Sequence, residues 1–90
     1  MTVLWLDEAK NDLEQIMIYI AQRCPATAYE LNQTIIKYAD ILENNSSIFK
    51  RGRVAGTREV VAHPNYILTY GITTENIVIL NVLHARQQYP

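Results

Sequence analysis

Residues 54–83 read VAGTREVVAHPNYILTYGITTENIVILNVL, and this stretch decides the fold. It contains three runs rich in Val, Ile, Leu and Tyr, the residue types that favour β-strands. Pro64-Asn65 separates the first run from the second, and the short link TTEN separates the second from the third. Links this short join antiparallel neighbours. The stretch therefore predicts a three-stranded antiparallel meander, with strands at residues 54–63, 66–72 and 77–83.

The last of these strands is expected in the interior of the sheet. Its first residues, IVIL at 77–80, are apolar at every position rather than at alternate positions. A strand with one solvated face would alternate, so both faces of this one should be covered. The pattern predicts a central strand or a second covered surface.

The N-terminal half predicts a strand and two helices. Residues 2–6 form a short apolar run typical of a strand, and Asp7 follows as a candidate N-cap. The first helix should end near Arg23, because Pro25 pushes the residue before it out of the α-helical region. Pro25 suits the first turn of a second helix, which should end at residues 44–47, and the short connection makes the pair an antiparallel hairpin. The apolar faces, spaced three and four residues apart, are Ala9, Leu13, Ile16, Met17 and Ile20 in the first helix and Ala28, Leu31, Ile35, Tyr38 and Leu42 in the second.

These elements follow the order β-α-α-β-β-β in a single domain spanning residues 1–90. The predicted class is α+β, an antiparallel sheet with the N-terminal helical hairpin packed on one face. Ninety residues suffice for one domain and are too few for two. The composition, 49% hydrophobic and 19% charged, is that of a globular chain.

Composition also narrows the class of protein. The single cysteine, Cys24, cannot form an internal disulfide and is expected to be a packing residue. No apolar run approaches the roughly 18 residues of a membrane span, and the N-terminus lacks the basic start of a signal peptide. We therefore predict a cytoplasmic protein with no membrane partner. Two histidines and one cysteine lack metal-ligand spacing, and no glycine-rich phosphate loop is present, so neither metal nor cofactor is expected.

The charges are unevenly distributed along the chain. Residues 1–45 hold three cations and seven carboxylates, a net −4, whereas residues 46–90 hold five cations and two carboxylates, a net +3. The C-terminal half is thus the side that could meet an anion. Its basic loop, Lys50, Arg51 and Arg53 beside Gly52, is either a solvated loop or part of a footprint for a nucleic acid or a protein partner.

Several stretches, in order along the chain, resemble RelE/ParE toxins. They are Trp5 before the first helix, GTREVV at 56–61, NYILTY at 65–70, IVILNVLH at 77–84 and the closing QQYP at 87–90. The likeness is strongest to the ParE branch, whose members carry a similar G-T-R-E strand and end in a histidine followed by basic or Gln residues, an aromatic residue and proline. It covers essentially all 90 residues.

The resemblance implies the toxin of a type II toxin–antitoxin system, neutralised in a hetero-oligomer by a cognate antitoxin. The antitoxin is expected to carry an amphipathic or extended acidic-hydrophobic segment. ParE-like toxins are associated with DNA gyrase, and RelE-like toxins cut mRNA in the ribosome. We expect a gyrase inhibitor that acts by protein–protein binding without a catalytic residue, and we keep the ribosome-dependent mRNA endonuclease as the alternative.

The resemblance also suggests which residues contact the target. The expected target-binding residues are Arg53, Arg58, His84, Arg86 and Tyr89. The alternative for Arg58 is an ordinary arginine at the surface, which packs its stem and pairs with a carboxylate.

In a nuclease, Arg58, His84 and Arg86 would be catalytic, with His84 taking the 2′-hydroxyl proton and Arg86 holding the phosphate. Ribonuclease members of the family have an arginine in the third strand, where this chain has Ile67. That departure argues against the nuclease. His63, which precedes Pro64, is interpreted as a turn residue.

Overall fold

The structure is a computed structural model that describes residues 2–45, 51–52 and 55–85. The elements in chain order are β1 (Thr2–Trp5), α1 (Asp7–Ala21), α2 (Pro25–Asn44), β2 (Thr57–His63), β3 (Tyr66–Ile72) and β4 (Asn76–His84). The predicted α+β class and order of elements are confirmed. No helix in the described part of the chain is long and apolar enough to cross a membrane.

The four strands form one sheet in the order β1-β4-β3-β2. The antiparallel meander of β2, β3 and β4 agrees with the prediction, and β4 is central as expected. The sheet is mixed rather than antiparallel throughout, because β1 pairs with β4 in parallel. The helical hairpin explains this arrangement, since α1 continues past the end of β1 and α2 brings the chain back to the sheet end where β1 began.

The helical hairpin and one face of the sheet enclose the core. Five of the largest side chains there are fully buried. They come from α2, β3 and β4 and are Leu42, Leu68, Tyr70, Ile77 and Ile79. A second cluster places Leu31 and Ile35 of α2 against Ala62 and Tyr66. Burying an aliphatic side chain of this size contributes about 1.5–3 kcal/mol. The predicted apolar stripe of α2 is therefore the face that holds the hairpin on the sheet.

The helix ends differ slightly from prediction. Leu6, not Asp7, occupies the N-cap position of α1, so Asp7 lies in the first turn, where the helix dipole favours its charge. Pro25 begins α2 as predicted, and Cys24 is its N-cap. The expectation that Cys24 is a packing residue is wrong, because the residue is exposed at the turn between the helices. The Thr27 hydroxyl donates a hydrogen bond to Cys24 Sγ at 3.1 Å and lowers the pKa of the thiol.

Candidate functional site

A first candidate site, called here the arginine pocket, lies where β2 begins. It has a volume of about 450 Å³. Two cations, Arg51 and Arg58, lie beside each other in it, joined by an antiparallel backbone bridge. None of the described residues that line it is acidic, so the pocket suits an anionic group. The lining consists of Arg51, Gly52, Ala55, Gly56, Thr57, Arg58 and Ile72.

Two glycines shape the arginine pocket. Gly56 has a φ of +81°, a left-handed conformation that side chains rarely adopt. Gly52 donates its N–H to the carbonyl of Thr57 at 2.8 Å, and a Cβ at Gly52 would collide with the Thr57 hydroxyl. The chain before β2 therefore folds back on the start of the strand, which brings Arg51 to Arg58.

Arg58 is half-buried and lies opposite Tyr70 of β3. Burial raises the pKa of the Tyr70 hydroxyl, and the nearby positive charge of Arg58 opposes this rise. The strand and its neighbour thus hold the arginine stem. A guanidinium held this way keeps its direction better than one on a loop.

A second candidate site, the tyrosine–histidine pocket, lies at the other end of the sheet, between α1 and the ends of β3 and β4. Its volume is about 430 Å³. The ring of His84 meets the ring of Tyr66 edge-on, with centroids 5.4 Å apart. The ring of His63 is tilted against the same Tyr66 ring, with centroids 5.8 Å apart. The lining consists of Asp12, Gln15, Ile16, Tyr19, Tyr66, Val82 and His84.

Asp12 of α1 completes the edge of the sheet beside this pocket. Its Oδ2 accepts a hydrogen bond from the backbone N–H of Val82 at 3.1 Å. The pairing of β1 with β4 ends at Ile79, so the outer edge of β4 beyond that residue lacks a neighbouring strand among the described residues. The carboxylate takes the place of the missing strand at Val82, which satisfies a donor that would otherwise be unpaired.

The structure separates two of the residues predicted to contact the target. Arg58 pairs with Tyr70, whereas His84 pairs with Tyr66, four residues away along β3. At about 3.3 Å per residue and about 4.8 Å between strands, the Cα atoms of Arg58 and His84 lie roughly 16 Å apart. They therefore belong to different pockets. The other three predicted residues, Arg53, Arg86 and Tyr89, lie outside the described residues, as does Lys50 of the basic loop.

Ile67, at the position that carries an arginine in family ribonucleases, is buried. Only 6% of its surface is exposed. It lies opposite Leu83 on the face of the sheet that points away from the helices, because its neighbour Leu68 points into the helix-facing core. The position thus forms part of an apolar surface.

His63 has the turn role predicted for it. Its Nδ1 accepts a hydrogen bond from the backbone N–H of Asn65 at 3.1 Å, which closes the turn between β2 and β3. This contact requires an unprotonated Nδ1.

Sequence reasoning missed the α1 side of the tyrosine–histidine pocket. Asp12, Gln15 and Tyr19 follow one another at three- and four-residue spacing, so they share one edge of the helix beside its apolar stripe. That spacing was the available signal. Within the described ranges, no group of three or more His, Cys, Asp or Glu side chains is placed to hold a metal ion.

Comparison with known proteins links the whole chain to one family. A family model described as the ParE toxin of the type II toxin-antitoxin system, parDE, matches residues 3–89. The chain is 34% identical over 89 residues to a Sinorhizobium fredii protein named "Putative toxin Y4kP", covering 98% of this chain and 92% of that protein.

Solved structures share the fold. The chain superposes on a chain of the chromosomal ParDE TA system from P. aeruginosa with a TM-score of 0.82 at 20% identity, covering 93% of this chain and 95% of that one. A YoeB/ParE toxin from Agrobacterium tumefaciens gives a TM-score of 0.69 at 13% identity, covering 99% and 100% of the two chains. At these identities the superpositions establish a common fold and nothing further.

Proposed function

Because the chain belongs to the ParE toxin family of type II toxin–antitoxin systems, we propose that it inhibits DNA gyrase by protein–protein binding and that a cognate antitoxin neutralises it. The membership makes it a toxin of such a system. The gyrase target, the direct binding mechanism and the cytoplasmic location in which both would operate are the proposal.

The observation that carries the proposal is the separation of Arg58 from His84. A nuclease that uses Arg58 together with His84 must bring the two side chains to one phosphate, with reacting atoms about 3–3.5 Å apart. These two side chains start from backbone positions on opposite sides and at opposite ends of β3. The buried Ile67 supports the same interpretation, since no cation projects from that position of the sheet.

The arginine pocket is the proposed contact with the target. Its two neighbouring guanidinium groups suit a carboxylate or another anionic group on the surface of a protein, and bidentate pairing would fix the direction of approach. Arg53, His84, Arg86 and Tyr89 remain proposed target contacts. The tail that carries Arg86 and Tyr89 offers a polar-aromatic anchor of the kind common at interface centres.

The test uses the purified toxin without antitoxin in two parallel reactions. In the first, gyrase, supercoiled or relaxed plasmid and ATP report loss of supercoiling and accumulation of cleaved DNA. In the second, ribosomes programmed with mRNA are analysed by primer extension. We expect inhibition in the first reaction and no toxin-dependent cleavage in the second.

Reproducible mRNA cleavage within codons, with gyrase unaffected, would replace this proposal with the endonuclease alternative. A catalytically dead gyrase and a heat-denatured toxin serve as controls. Toxin added together with an excess of antitoxin should leave gyrase active. This result would show that the inhibition comes from the toxin that the antitoxin neutralises.

A further inference from the structure

We propose that the outer face of α2 binds the same face of a second copy of the chain, with the two helices antiparallel about a two-fold axis at the level of Gln33. This face, called here the α2 stripe, consists of five exposed residues: Tyr29, Glu30, Gln33, Ile36 and Lys37. The contact does not depend on the target of the toxin. The stripe belongs to the helical layer, whereas the arginine pocket, the proposed target contact, lies where β2 begins.

The α2 stripe faces away from the sheet. An α-helix turns by about 100° per residue, which places Gln33 on the opposite side of the axis from the residues that α2 buries, Ala28, Leu31, Ile35 and Leu42. On this outer side, 67% of Tyr29 and 48% of Ile36 are exposed. These two side chains are seven residues apart, so they lie two turns apart on one side of the stripe. Burying them against a partner would remove apolar surface from water.

Two opposite charges lie on the other side of the stripe. Glu30 and Lys37 are also seven residues apart, about 10 Å along the axis, which is too far for a salt bridge with each other. Around the axis they lie about 40–60° to one side of Gln33, while Tyr29 and Ile36 lie about 40–60° to the other side. The stripe thus has a charged side and an apolar side, each with two residues at the same spacing.

This arrangement is complementary to itself. Glu30 lies three residues before Gln33 and Lys37 four residues after it, so in an antiparallel copy the two reach nearly the same level, about 1.5 Å apart along the axis. A two-fold axis keeps the charged side facing the charged side. Glu30 therefore meets Lys37 of the second copy, and by the same geometry Tyr29 meets Ile36. A parallel pair would instead place like charges together, so the charges select a second copy in the antiparallel orientation.

The ends of the contact extend the match. Ala26 and Asp40 are exposed and lie seven residues on either side of Gln33, so Asp40 meets Ala26 of the second copy. Ala26 is in the first turn of α2, where the helix dipole favours a negative charge and where this helix has no acidic residue. One helix pair of this length, about 30 Å, buries less than the roughly 800 Å² per partner of a standard interface. We therefore expect a dissociation constant on the order of 10–100 µM.

The experiment measures self-association of the full chain, purified free of antitoxin, by sedimentation equilibrium from about 5 to about 500 µM, a range that brackets this affinity. Glu30→Lys and Lys37→Glu each give every chain two like charges on the stripe. The double variant exchanges the two charges and restores their complementarity. Glu75→Lys makes the same charge change as Glu30→Lys at the exposed turn between β3 and β4, and it is the matched control.

We expect each single reversal to weaken the dimer about tenfold or more, because both symmetry-related pairs change from attraction to repulsion. The double variant should return to within about threefold of the wild type, and an equimolar mixture of the two single variants should form a heterodimer of similar affinity. Glu75→Lys should change the affinity by less than about twofold. Circular dichroism checks that every variant is folded.

A cross-link tests the same axis without changing a charge. Gln33→Cys is made together with Cys24→Ser, which removes the exposed native thiol. Oxidation should give a disulfide-linked dimer, since facing helices bring residues on the axis within disulfide reach. Thr74→Cys at the exposed turn between β3 and β4, in the same Cys24→Ser background, should stay monomeric at equal concentration.

A monomer at every concentration would overturn the proposal, and so would a dimer that neither reversal weakens or that the double variant fails to restore. Slower hydrogen exchange over residues 26–40 in the antitoxin complex, with the free toxin monomeric, would assign the stripe to the antitoxin instead. Gyrase inhibition by the same variants, measured at concentrations below the dimerisation range, reports separately on the proposed function.

Discussion

The arginine pocket and the tyrosine–histidine pocket have nearly the same volume but differ in charge and in origin. Among the residues that the structure describes, the first is lined by two arginines and no acidic residue, and the second by one carboxylate and no arginine or lysine. Apart from Ile72, the arginine pocket comes from the adjoining residues 51–58, whereas the contact between Asp12 and Val82 spans 70 positions. The described residues at the two ends of the sheet therefore differ in charge.

The largest expected effect concerns the C-terminal tail. Deletion of residues 86–90 should abolish toxicity, because Arg86 and Tyr89 are proposed target contacts. It should leave antitoxin affinity within about threefold if the target and the antitoxin bind different surfaces. Growth after induction and calorimetry measure the two effects. Equal loss of both activities would mean that the two partners share one surface, and the contrast between the pockets would lose its functional meaning.

Arg58→Ala should reduce toxicity at least about tenfold, with little change in antitoxin affinity. A charge-assisted hydrogen bond contributes about 1.5–3 kcal/mol, which corresponds to that range. Gyrase inhibition as a function of toxin concentration gives the measurement, and circular dichroism checks the fold. Lys37→Ala, which removes an exposed cation of α2, is the control. Undiminished toxicity of Arg58→Ala at equal expression would remove the arginine pocket from the target surface.

Asp12→Ala should lower the free energy of unfolding by about 1–3 kcal/mol, because it leaves the Val82 N–H at the edge of β4 without its acceptor. Asp12→Asn should cost less, since the amide oxygen can replace the carboxylate. Urea denaturation of both variants separates the contribution of the hydrogen bond between Asp12 and Val82 to the free energy of unfolding from the contribution of the Asp12 charge. Similar loss in both would show that the charge itself supports the fold.

Gly56→Ala should give the smallest effect, about 1 kcal/mol, because alanine is strained at a φ of +81° although no atom lies within 4 Å of the new Cβ. The strain should loosen the loop before β2 and reduce toxicity modestly while sparing the antitoxin complex. The ratio of toxicity to antitoxin affinity is the readout. A selective loss of antitoxin affinity would contradict the assignment of the arginine pocket to the target.

Local patterns predicted much of the fold. The strand at 66–72 has the bounds that its composition indicated, and β4 is central, as the unbroken apolar run IVIL required. Pro25 begins α2, and the apolar spacing of that helix identifies the residues that it buries. The class of fold and the family followed from the order of these elements. The reason is that hydrophobic periodicity and proline geometry act over a few residues, so the sequence states them directly.

The sheet partners and the sites depended on the tertiary structure. Nothing in residues 2–5 indicates that β1 pairs in parallel with β4, or that it stops at Ile79 and leaves an edge for Asp12 to cap. Arg58 and His84 both looked like parts of one site, yet β3 lies between them and their positions face opposite ends of the sheet. Strand register and the packing angle of a helix bring distant residues together through backbone hydrogen bonds and core contacts that no local pattern encodes. The sequence by itself therefore determined the elements, their buried faces and the family, whereas the tertiary structure decided which charged side chains share a pocket.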